Sequence, residues 1–92
     1  MLFITDYQVK DHLTREDSKR LMDVFAKRPQ VPGEIAHYAK LDGSGGVIVA
    51  ETDDVLAVYE QVLAFDEFLN LQIHPVLKIE DAVGPILREL GD

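Results

Sequence analysis

No cysteine and no tryptophan occur among the 92 residues of this chain. Lacking cysteine, it has no disulfide framework and no thiol nucleophile, and a reduced, cytoplasmic setting is the expected one. There is no apolar run long enough to span a bilayer. The start, MLFITDYQ, has no basic region and soon reaches Asp6, so no secretory signal is expected there. Basic residues are few: nine Lys and Arg against seventeen Asp and Glu give a net charge of −8, and the nine are scattered. Nucleic acids are held by clustered Lys and Arg, so no nucleic-acid partner is expected. Anionic membrane surfaces are disfavoured for the same reason. Three dispersed histidines with no helical i,i+4 pair lead us to expect no metal site and no cofactor.

What is present suits a folded chain: 47% hydrophobic and 28% charged residues, expected to form a single domain over residues 1–92. Strand-like and helix-like runs alternate in the order β-α-β-β-α-β, with one more helix at the end. The first strand covers residues 2–8, with Leu2, Ile4 and Asp6 on one parity and Phe3, Thr5 and Tyr7 on the other. Thr14 with Asp17 three residues on approximates a capping box. The helix it opens runs to about Lys27, with Ser18, Leu21, Met22 and Phe25 as its stripe. Arg28-Pro29 stops that helix, and residues 30–33 read as loop.

Strands over about 34–41 and 46–51 flank a glycine-rich link at residues 42–46. This link feeds a strand rather than a helix, so it reads as a hairpin turn and not as a phosphate cradle. The run Glu51-Thr52-Asp53-Asp54 reads as a helix cap rather than an acidic metal corner, because adjacent residues on a turn seldom converge on one ion. The second helix is expected over about 54–69, with Val55, Leu56, Tyr59, Val62 and Leu63 buried and Asp66 partly so. The fourth strand, 71–77, contains Pro75, which cannot donate to a sheet ladder and so requires an edge position. A last helix covers about 80–90, where Gly84-Pro85 suggests a division.

Right-handed crossovers interleave these pieces into a four-stranded antiparallel sheet in the order 4-1-3-2, an α+β, ferredoxin-like arrangement. Each strand is apolar at both parities, whereas the helices of so short a chain can cover one face only. A second copy is therefore expected on the other face.

The chain resembles the dimeric α/β-barrel superfamily and, within it, a small bacterial family of uncharacterised ferredoxin-like proteins. The resemblance rests on Met1-Leu2-Phe3, on the run Val47 to Asp54, and on Phe65-Asp66-Glu67-Phe68-Leu69 leading into Ile73-His74-Pro75-Val76-Leu77. It spans nearly the whole chain and implies a homodimer with sheets packed face to face. Wider relatives include cofactor-independent monooxygenases, polyketide cyclases and muconolactone-type isomerases. Where the small family has a tryptophan, this chain has Phe65.

Candidate chemistry falls to polar residues on strands: His37 and Tyr38 on the second, His74 on the fourth, Asp6 and Tyr7 on the first. A histidine beside a carboxylate could serve as a base, and a tyrosine could orient an oxyanion. Asp6 and His74 lie on strands expected to be neighbours. The competing reading makes the histidines interface or rim residues and the tyrosines amphipathic packing. A small organic ligand is expected between sheet and helices, lined by Leu2, Ile4, Leu21, Phe25, Tyr59 and Leu63. A non-catalytic dimer acting through protein contacts is the alternative.

Overall fold

The computed structural model describes residues 1–27 and 33–91. Strand β1 (Leu2–Val9) is followed by α1 (Arg15–Lys27), β2 (Glu34–Ala39), β3 (Gly45–Glu51), α2 (Val55–Phe65), β4 (Leu69–Val76) and α3 (Ile79–Glu89). The Arg28-Pro29 stop and the loop residues up to Pro32 lie outside the described residues. All strand pairings are antiparallel, and the sheet order is β2-β3-β1-β4, which is 4-1-3-2 read from the other edge. Pro75 thus lies on an edge strand, as its missing N–H requires.

Side chains alternate between the faces of a strand. On β1 the helix-side residues are Phe3, Thr5 and Tyr7, with Phe3 and Tyr7 buried. Against them pack Leu21 of α1 and the turn from α2 into β4, where Phe65, Phe68 and Leu69 form the tightest part of the core. Leu2, Ile4 and Asp6 have the opposite parity and fall on the open face. Directly paired residues share a face, so Tyr38, Val47, Asp6 and Gln72 form one cross-strand row there, and Ala36, Val49, Ile4 and His74 the next.

Local sequence accounts for the starts of α1 and α2. Thr14 and Asp17 close a reciprocal capping box: the Asp17 N–H donates to Thr14 Oγ1 at 3.0 Å and the Thr14 N–H to Asp17 Oδ2 at 3.1 Å. At α2 the Asp54 carboxylate accepts from the Ala57 N–H at 3.0 Å, so this stretch caps its helix.

Each of the three helices departs from expectation in some respect. The inward residues of α2 are Val58, Gln61, Val62 and Phe65, whereas Val55, Leu56, Tyr59 and Leu63 are exposed. The helix is apolar on both sides, so periodicity alone could not choose its buried face. It also ends at Phe65, which leaves Asp66 as an exposed C-cap. Met22 on α1 is likewise exposed, with Val24 taking part in the core instead. Gly84-Pro85 does not divide α3, which is continuous through Pro85.

Candidate functional site

Gly46 decides where Tyr7 points. In the row Ala39, Gly46, Tyr7, Leu71, the β3 position beside Tyr7 is glycine. A Cβ there would collide with the Tyr7 hydroxyl, would meet the ring Cζ at 2.6 Å, and would press on the Tyr38 carbonyl oxygen at 2.6 Å. With no side chain in the way, the Tyr7 ring crosses β3, and its hydroxyl reaches His37 Nε2 on β2 at 2.6 Å. The two rings meet edge to face, their centroids 5.6 Å apart at 71°. Phe25 of α1 stands 6.3 Å from each of them and stacks on Phe65 at 4.7 Å.

The electrostatics favour a protonated phenol. Burial pushes the Tyr7 hydroxyl above its ordinary value, the charge of Glu34 adds to this, and Lys40 opposes it. When the imidazole carries its proton on Nδ1, the Tyr7 O–H donates to Nε2. In the other tautomer Nε2–H donates to the phenol oxygen and leaves the phenol proton for a further acceptor. The pair can therefore offer a neutral donor or acceptor without a buried charge.

Beside it, between the sheet and α2, lies an apolar cavity of ≈ 40 Å³ walled by residues that include Phe3, Phe25, Ile48, Val62, Phe65 and Leu71. Its polar lining comes from Thr5, Tyr7 and Gln61. A water needs about 10–15 Å³ of such space, so the cavity takes a fragment of a few heavy atoms. A larger molecule requires α2 to move. On the outer side, His37 opens with Tyr7, Met22, Phe25 and Ala39 onto a shallow groove.

The residues singled out in the sequence divide between two faces. His37 and Phe25 belong to the helix side and come together there, and Leu21 is buried in the adjacent core. Leu2 and Ile4 do not line the cavity, because their parity sends them to the open face. Tyr59 and Leu63 do not line it either, because α2 turns them outward, each 59% exposed. Tyr38, His74 and Asp6 share the open face, away from His37. Asp6 sits opposite Gln72 and His74 opposite Ile4, so the two are diagonal neighbours rather than a direct pair. The partner of Asp6 is Lys40, whose Nζ donates to Oδ1 at 2.7 Å. Tyr7 on β1 is the residue that meets His37, and Gly46 carries the sequence signal for it: glycine within a strand often marks a close approach.

The sequence matches, over residues 1–89, the family described as Domain of unknown function (DUF3303). The chain belongs to this family. Its description assigns no chemistry, so the reading of the site rests on the Tyr7–His37 pair and the cavity beside it. No curated protein matches the chain. Among the described residues, no helix is long and apolar enough to cross a membrane.

Proposed function

We propose that this member of the family is a homodimer of ferredoxin-like subunits, each one domain over residues 1–92, that binds a small, mostly apolar organic molecule between sheet and helices. The supporting observation is the apolar cavity with Tyr7 in its wall and His37 behind the phenol, 2.6 Å away. Ligand sites are mostly apolar with a few converging polar groups, and this one has that composition. The missing charge in its lining favours a neutral ligand bearing one hydroxyl or carbonyl for the pair. A cofactor-independent monooxygenase or cyclase/isomerase would use the same site, with the phenol donating to an oxyanion on the substrate.

The second reading, a non-catalytic dimer acting through protein contacts, is favoured by the small size of the cavity. Thermal melting with phenol, 4-methylphenol and cyclohexanone as probes separates the two. At ten times its Kd a bound probe stabilises the fold by about 1.4 kcal/mol, a rise of roughly 6–11 °C for a domain of this size. The shift should vanish in Val62→Phe, which fills the cavity, and shrink in Tyr7→Phe. Equal melting with and without every probe would favour the second reading.

A further inference from the structure

Helix α3 has no place to rest among the described residues of its own chain. It contains no buried residue, and Ile79, Val83, Ile86, Leu87 and Leu90 are 44–74% exposed. At 100° per residue these five fall within one apolar arc, while Glu80, Asp81, Gly84, Pro85 and Arg88 take the opposite side. Such a helix cannot hold itself together in water. Eleven residues are too few for independent helicity, and its interior Gly84 and Pro85 are the two residue types least favourable to a helix. Its conformation needs a surface to pack on.

The shape of the molecule points the same way. The radius of gyration is 16.2 Å, against about 12 Å for a compact domain of this length. The chain exposes 6818 Å², about 1,400 Å² more than the roughly 5,400 Å² expected of a compact monomer of this mass. Obligate homodimers bury roughly 1,000–2,500 Å² on each partner, so the excess is of the size that a second copy would cover.

A seat of suitable chemistry lies at the foot of the helix. An open groove of ≈ 660 Å³ runs along the sheet end, with Met1, Leu2, Ile35, Val76 and Leu77 as apolar walls and Glu51, Lys78 and Asp81 as polar lining. Met1, Ile35 and Leu77 are 56–64% exposed. The groove is continuous with the open sheet face through Leu2 and Val76.

We propose that α3 is an exchanged arm: in the two-fold homodimer each copy's α3 lays its Ile79–Val83–Ile86–Leu90 stripe in the groove of the other. This rests on the homodimer reading given above. The two-fold axis makes the exchange reciprocal, so both grooves and both helices are covered at once. The arm then folds as a helix only in the dimer.

The absence of native cysteine makes the test clean. Ile35→Cys on one chain and Val83→Cys on a second chain carrying a size tag are mixed, allowed to exchange and oxidised. A covalent heterodimer, seen as a shift to the combined mass, is the expected result. Tyr59→Cys mixed with Val83→Cys serves as the rival pair, since the outer side of α2 is another exposed apolar seat. A cross-link to position 59 but not to position 35 overturns the proposed seat. A dimer by light scattering without either cross-link overturns the arm exchange and leaves the homodimer standing. A monomer by light scattering removes both.

Discussion

Tyr7 and His37 are thirty positions apart, and their meeting depends on one absent side chain. In Gly46→Ala the new methyl must displace the Tyr7 ring or push back the Tyr38 carbonyl, and backbone yields less easily than a side chain. We expect a lower melting temperature and, by NMR, His37 ring resonances resembling those of Tyr7→Phe. Tyr7→Phe alone should cost about 0.5–1.5 kcal/mol, the net worth of one hydrogen bond. The raised phenol pKa adds a sign: the fold favours protonated Tyr7, so this stabilisation is present below about pH 10, the unfolded value. It is lost as pH rises through the higher folded value, and Tyr7→Phe should flatten that alkaline loss. The sequence named His37 but grouped it with Tyr38, His74 and Asp6. The irregularity between Glu34 and Ala36 sets which parity of β2 faces the helices, and no local pattern in residues 34–39 announces it.

Elements were legible where a boundary has its own chemistry. Thr14 and Asp17 form the capping box that their spacing indicated, and the Asp17 carboxyl is held below its ordinary range, first by the Thr14 N–H and further by the Thr14 hydroxyl and Arg20. Because its folded value is depressed, the stabilisation is present above about pH 3.9, the unfolded value. It fades as pH falls through the lower folded value. Thr14→Ala should cost about 1 kcal/mol and lower the melting temperature by roughly 4–8 °C. Asp17→Asn should flatten the acid side of the stability–pH curve, as followed by circular dichroism between pH 2 and 6. Helix faces were legible only where the helix has a polar side. For α2 the stripes Val58–Val62–Phe65 and Leu56–Tyr59–Leu63 are equally apolar, and the burial of Phe65 beside Phe68 and Leu69 settles the choice through tertiary packing. Pro85 misled for a related reason: a proline breaks a helix only when nothing outweighs its local cost.

At the scale of the whole molecule, the two apolar parities of each strand were the feature that sequence alone could weigh, and they carry the dimer reading. One parity is covered by α1 and α2, which gives the core of Tyr7, Leu21, Phe65, Phe68 and Leu69. The other presents Leu2, Ile4, Val47, Val49 and Val76 on a face that no element of the described chain covers, crossed by the Asp6–Lys40 pair and by Tyr38 and His74. So large an apolar surface is unusual for a monomer. If the faces of two copies close on each other, Val49 in the second row is surrounded by apolar neighbours from both. Val49→Asp then buries an unpartnered charge on each copy, at about 3 kcal/mol or more per site, and weakens association by at least roughly a hundredfold. Light scattering at micromolar concentration should show the wild type as a dimer and Val49→Asp as a monomer that keeps its far-ultraviolet strand signal. Leu63→Asp, on the exposed side of α2, is the matched control and should remain dimeric. The arrangement is refuted if Leu63→Asp dissociates while Val49→Asp does not, because the copies would then meet through their helices and leave the sheet open.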